Sequence, residues 1–336
     1  MSGPVTIEEA RALARARRPV RALRRGKVAT AATIGTVGLE RRKLEIAVRE
    51  ENNRRIAEYK ETLRIMKDRG VADPKQPPRR RALAAPKVTR PLQAFAEGDS
   101  WFDYPAPFFG GGIIPRLEKL LGVPILSLAK AGDEVRFMLG VEERKIIIKQ
   151  LTKGCPAGGP WDVMMFSGGG NDIVDNPMAL WIKDFDPGIP VVDHIHTQRL
   201  DAALALVQAG YEDLIELRNS LSPTTKLILQ GYDFAIPDGR GICHLGPWLK
   251  PTFDLRKFQD QPKAAQVVKV MLERFAAMLT KLASAHPDVI FVNTQGTLPA
   301  VPSSWHNELH PSKKGFDQFA RRFQVELQAL FPDKVP

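Results

Sequence analysis

Beyond residue 90 the chain alternates short, nearly uninterrupted apolar runs with longer segments of helical period. The runs are LQAFAE at 92–97, PILSLA at 124–129, DVMMFSG at 162–168, KLILQGYD at 226–233 and VIFVNT at 289–294. Helical segments lie between them at 113–121, 135–150, 197–220 and 262–285, and a last one follows at 313–330. A strand that is apolar on both faces must be covered on both, which is the situation of a parallel sheet between two helical layers. The pattern predicts a three-layer α/β/α sandwich with its ligand site beyond the carboxyl ends of the strands.

The first 90 residues have a different texture. They hold 24 of the 49 Lys and Arg but only 10 of the 38 Asp and Glu, leaving 25 basic and 28 acidic residues for the rest. The formal charge of +11 therefore belongs to the N-terminal quarter, and the α/β part needs no polyanionic partner to explain it. Thr6 with Glu9 is a capping-box pattern, so a helix is expected from Ile7 to about Arg18, where Pro19 stops it. A second helix carries Leu44, Val48, Ile56, Tyr59, Leu63 and Met66 at steps of three, four or eight and closes at Gly70.

Its narrow apolar stripe suits a helix on a partner surface or paired with another helix. The expected division is a basic helical arm at 1–71, a Pro- and Arg-rich linker at 72–90 and an α/β domain at 91–336. Three uses of the arm stay open: docking on an anionic surface or protein partner, a hairpin packed on its own domain, or a homodimer contact. The stretch VATAATIGTVGL at 28–39 is too rich in Thr, Ala and Gly for a signal-peptide core. With no run near the roughly 20 apolar residues of a membrane span, a cytoplasmic location is the default expectation. Cys155 and Cys243 are too few for a disulfide framework or a structural zinc site.

In a parallel sheet the informative residues follow the strands. Here these are Gly98-Asp99-Ser100-Trp101, Ala131-Gly132-Asp133 and Gly168-Gly169-Gly170-Asn171-Asp172, with Trp305-His306-Asn307-Glu308-Leu309-His310-Pro311 before the last helix. Together they supply a hydroxyl, an imidazole, a carboxamide and exposed amides, the parts needed for acyl transfer. Ser100 is the candidate nucleophile and His310 the candidate base. The Ser100 N–H, the Gly132 N–H and the Asn171 side chain are candidate donors to an oxyanion. Asp99 and Asp172 read as braces of their loops. Trp101, Phe102, Tyr104, Phe108 and Phe109 read either as an acyl pocket or as wall packing.

The blocks GDSW, SLAKAGD, GGGND and NELHP resemble, in order, those of the SGNH hydrolases, also called GDSL esterases and lipases. The resemblance covers roughly residues 92–330 and omits the arm. It implies a flavodoxin-like parallel sheet, a serine hydrolase acting on small-molecule or lipid esters through an acyl-enzyme, and no cofactor. One position departs from the pattern. The Asp expected three residues before the histidine is Asn307, which could orient His310 but could not give the imidazolium a full countercharge. Glu308 is the first alternative acid, although alternation in an extended segment would point it elsewhere.

His306 lies four residues before His310, and His194 two before His196. Asn307 stands where a zinc-protease helix needs Glu, and Pro311 opposes a continuous helix, so no metal is expected. The 28 residues FAIPDGRGICHLGPWLKPTFDLRKFQDQ at 234–261 are long enough for a lid or a packed insertion. A rival reading also stands: an inactive hydrolase-like domain that docks through its basic arm.

Overall fold

The computed structural model describes residues 3–16, 36–70, 91–104, 111–242 and 245–335, without the side chains of residues 36–42 and 44. The linker at 72–90, Phe108, Phe109 and Cys243 lie outside the described residues. Helix α1 (Ile7–Ala16) opens with the expected capping box: the Thr6 amide donates to Glu9 Oε2 at 2.8 Å, and the Glu9 amide to Thr6 Oγ1 at 3.2 Å. Helix α2 (Thr36–Arg69) follows, and the chain then enters the sheet through β1 (Ala94–Gly98).

The remaining elements come in the order α3 (Ile113–Leu121), β2 (Ile125–Ser127), α4 (Val135–Met138), α5 (Val141–Lys153), β3 (Val163–Ser167) and α6 (Gly170–Ile173). They continue with α7 (Thr197–Leu221), β4 (Lys226–Gln230), α8 (Lys250–Leu255), α9 (Gln261–Ala285), β5 (Val289–Val292) and α10 (Lys313–Leu330). The segment expected as one helix at 135–150 is broken at Leu139 and Gly140. A Cβ on Gly140 would stand 2.9 Å from the Phe137 carbonyl, so the turn there excludes a side chain. The apolar period runs through both pieces, which is why the break is invisible to it.

The five strands are all parallel, in the order β2-β1-β3-β4-β5, with Phe95 opposite both Leu126 and Met164. The walk from β1 to β2 runs one way and every later step runs the other. Right-handed crossovers therefore put α3 on one face and α5, α7 and α9 on the opposite one. Helix α10 joins α3, completing the three layers. The order reverses between β1 and β3, whose carboxyl ends diverge into the loops of Ser100 and Asn171. Such a reversal opens a crevice where a ligand can sit.

The arm is part of this body. Tyr59 of α2 is 1% exposed, with its ring 5.6 Å from that of Trp161 and its hydroxyl 3.6 Å from Cys155 Sγ. Arg11 of α1 pairs with Glu118 of α3 and donates to the Ile125 carbonyl at 2.8 Å. Strand β2 is an edge, and α2 packs on it and on α5. Among the three uses open to the arm, this contact is the hairpin packed on its own domain. Residues 17–35 and 71–90, with 12 of the Lys and Arg, are outside the described residues. No described helix is long and apolar enough to cross a membrane.

Candidate active site

Ser100 sits in the first turn after β1, where the Phe102 and Asp103 amides donate back to the Asp99 carbonyl at 3.1 and 3.0 Å. The Asp99 carboxylate holds the turn from below, accepting from the Trp101 amide at 2.9 Å, Ser167 Oγ at 3.0 Å and the Tyr232 hydroxyl at 2.5 Å. Burial pushes its pKa up to about 6 against those hydrogen bonds. Gly98 permits the approach of β1 to β3, since a Cβ there would stand 2.8 Å from the Ser167 carbonyl. Asp172 braces the other side by accepting from the Val135 amide at 3.0 Å.

Ser100 Oγ lies 2.6 Å from His310 Nε2, across 210 residues of chain. On the far side of the ring, Asn307 Oδ1 lies 3.0 Å from His310 Nδ1 and accepts from the Leu309 and His310 amides at 3.0 and 2.9 Å. Donors converging on one atom identify it as the amide oxygen, because a reversed Asn307 would set its NH2 against two backbone N–H groups. His310 Nδ1 must then carry its hydrogen, and Nε2 presents a lone pair to the Ser100 hydroxyl.

Asn307 Nδ2 donates to the Tyr104 hydroxyl at 3.1 Å, which in turn lies 2.8 Å from His306 Nδ1. The Tyr104 ring is stacked on His310 with centroids 4.4 Å apart, and Trp248 meets the imidazole edge-on at 5.8 Å. Burial drives the His310 pKa down to about 3, with the charge of His306 acting in the same direction. An uncharged imidazole is therefore the resting form.

Glu308 does not serve this histidine. Its carboxylate accepts from the amides of Gly239 at 2.9 Å, Trp248 at 2.6 Å, Leu249 at 2.7 Å and Lys250 at 3.0 Å. Its own amide donates to the Arg240 carbonyl, and the Ile236 amide to its carbonyl, each at 3.2 Å. The role of alternative acid is thus corrected: alternate side chains diverge, so Asn307 faces His310 while Glu308 turns into the 234–261 segment. That segment is an insertion bolted to the His310 loop, and it contains α8.

Asn171 lies beside Ser100 in the wall of a pocket, and its amide donates to the Asp133 carbonyl at 2.8 Å. Gly132 precedes Asp133 in the loop after β2, at φ +87° with open space where a Cβ would be. It does not line the pocket itself. The pocket encloses about 520 Å³, including its open mouth. Its apolar lining includes Ile173, Val174, Leu249, Val268, Met271 and Leu272.

The aromatic residues read as an acyl pocket or as wall packing divide. Trp101 lines the pocket, Phe102 is buried against Phe323 with rings 5.8 Å apart, and Tyr104 stacks on His310. The aliphatic wall from α9 was not legible, because its spacing is that of any core-facing helix. The spacing of Tyr104, His306 and Asn307 likewise gave no signal of their network. His194 stands apart, its Nδ1 3.1 Å from the Pro190 carbonyl and its Nε2 3.0 Å from that of Asp186.

No family model matches the chain, and no curated protein matches its sequence. Among solved structures it is similar to a lipase from a goat rumen metagenome, at 17% identity over 70% of this chain and 96% of that one, with a TM-score of 0.46. It is also similar to an extracellular lipase from Streptomyces rimosus, at 14% identity over 70% and 99% of the two chains and a TM-score of 0.43. A family 3 carbohydrate esterase from Clostridium thermocellum is similar at 15% identity over 73% and 100%, with a TM-score of 0.42. At these identities the likeness concerns the course of the backbone and assigns no activity.

Proposed function

We propose that the protein is a serine hydrolase that cleaves carboxylic esters with an apolar acyl group. The observation that carries the reading is the 2.6 Å contact between Ser100 Oγ and an imidazole whose tautomer Asn307 dictates, in the wall of a largely apolar pocket. The Ser100 oxygen attacks the ester carbonyl while its proton passes to His310 Nε2. Negative charge on the carbonyl oxygen is met by the Ser100 N–H, the Gly132 N–H and the Asn171 amide. As the intermediate collapses, the alcohol leaves with the proton from His310. Water then repeats the sequence on the acyl-enzyme, with His310 again as base, releasing the acid and restoring Ser100.

Asn307 supplies orientation and an amide dipole in place of a carboxylate charge. The face of Tyr104 adds π-electron density over the imidazolium as it forms. The apolar side chains of Ile173, Val174, Leu249, Val268, Met271 and Leu272 in the lining offer more surface to an acyl chain than two carbons can cover.

Labelling with a fluorophosphonate tests the reading. Intact protein should gain one adduct, located at Ser100, and Ser100→Ala should gain none while keeping its melting temperature. The variant should also lose hydrolysis of p-nitrophenyl butyrate and octanoate. Turnover retained in Ser100→Ala, or no adduct on the wild type, would overturn the assignment.

A further inference from the structure

Arg55 of α2 reaches from the arm to both loops that frame the proposed oxyanion site. Its Nη2 donates to Asp103 Oδ2 at 2.8 Å, three residues after Ser100. Its Nη1 donates to the Ala129 carbonyl at 2.5 Å, three residues before Gly132, and lies 3.5 Å from the Ser127 carbonyl. Nε donates to Glu51 Oε1 at 2.9 Å, one turn back along α2. All three nitrogens of one rigid fork are engaged, two of them on different loops.

Among the described residues, the segment after β2 is tied to β1 by the Leu128 amide donating to the Ala96 carbonyl at 2.8 Å and the Lys130 amide donating to the Gly98 carbonyl at 2.7 Å. Gly132 lies beyond both, in the left-handed region and with nothing packed where a Cβ would be. The distance from the Ser100 amide to the Gly132 amide is what an oxyanion would sense, and small displacements of such donors are costly to rate.

We infer that Arg55 is a positioning residue, fixing the loop of Gly132 against the turn of Ser100 from a helix outside the catalytic blocks. This inference rests on the ester-hydrolase reading for its effect on rate, but not for its effect on the loops. Lysine cannot replace the fork, because a single ammonium cannot hold a carboxylate and a carbonyl in these two directions at once.

The test compares Arg55→Gln, Arg55→Lys and Asp103→Asn with Arg11→Gln, which loosens α1 from the same sheet edge without reaching either loop. Steady-state rates on p-nitrophenyl esters are read together with hydrogen exchange of residues 128–133. In the first three variants kcat should fall about 10-fold or more with KM within about twofold, as expected for a contact expressed in the transition state. Exchange at 128–133 should quicken in all three, the Arg55→Gln/Asp103→Asn pair should be no worse than either single change, and Arg11→Gln should keep its kcat.

Unchanged exchange in the Arg55 variants, or an equal loss of kcat in Arg11→Gln, would overturn the inference and make Arg55 an anchor of the arm. If Arg55→Gln does not fold, Asp103→Asn reads the same bridge from its other end. A wild type that hydrolyses no ester and takes no fluorophosphonate would instead sink the hydrolase reading, while the exchange rates would still decide the bridge.

Discussion

In the proposed reaction His310 is the residue on which the chemistry turns, and its surroundings set a clear expectation. The proposed reaction needs neutral His310, so its rate should fall as the pH drops through the His310 pKa. Burial without a carboxylate moves that fall below the ordinary histidine range, towards the folded value of about 3. The acid limb of kcat/KM should therefore lie well under pH 6. Asn307→Asp places a carboxylate 3 Å from Nδ1, favours the imidazolium and should move the limb to higher pH. A wild-type limb near pH 6.5 that Asn307→Asp leaves in place would show that another group titrates. Glu97, on β1 below the site, supplies a second test. Burial raises its pKa to about 8, with Asp133 and Glu143 adding to the shift, and its Oε1 accepts from the Gly98 amide at 2.9 Å. The folded state prefers the protonated acid, so stability is full below the unfolded pKa of about 4.5 and declines as pH rises through 8. Glu97→Gln keeps an acceptor and cannot ionise. Its melting temperature should gain on the wild type from pH 5 to pH 9, and a difference constant with pH would disprove the account.

At the scale of elements, one carboxylate gathers much of the 234–261 insertion. Glu308 gathers four backbone N–H groups from Gly239 and from Trp248 to Lys250, which places Leu249 in the pocket wall and Trp248 against His310. A glutamine has one acceptor oxygen, and its NH2 would face donors. Glu308→Gln should cost about 2–4 kcal/mol in denaturant unfolding, since hydrogen bonds to a charge are lost and buried amides go unpaired. Because the segment builds the pocket wall, KM for octanoate should rise more than KM for butyrate. The acid limb of the pH profile should not move. A moved limb with intact stability would return Glu308 to the catalytic group.

At the scale of the whole molecule, the described part of the arm covers buried residues of the α/β body. A chain beginning at residue 87 loses Tyr59, which covers Trp161, and also loses Arg11 and Arg55 from the β2 edge. Trp161 is 0% exposed in the full chain and meets Phe95 of β1 at 5.1 Å. Uncovering one buried aromatic costs on the order of 2–3 kcal/mol, and an open edge strand next to it invites association. The shortened chain should melt at lower temperature and run as aggregates on size exclusion. A monomeric, fully stable truncation would show that the arm only rests on the domain.

The sequence by itself determined the layers: five apolar runs, the helices between them and the polar residues that follow the strands. Those features are local, because strand and helix periods repeat within a few residues and the carboxyl ends of parallel strands share one side of a sheet. The four loop blocks also singled out Ser100, Gly132, Asn171, Asn307 and His310 before any geometry. Tertiary structure alone decided what each side chain meets. Adjacent Asn307 and Glu308 are both fully buried polar residues, yet one orients an imidazole and the other ties an insertion, a division set by which way the loop turns. The pocket wall depends on α9 presenting Val268, Met271 and Leu272 to a crevice rather than to another helix. The reach of Arg55 to Asp103 and Ala129 depends on α2 lying along β2, and no periodicity records how a helix packs on a strand more than fifty residues later.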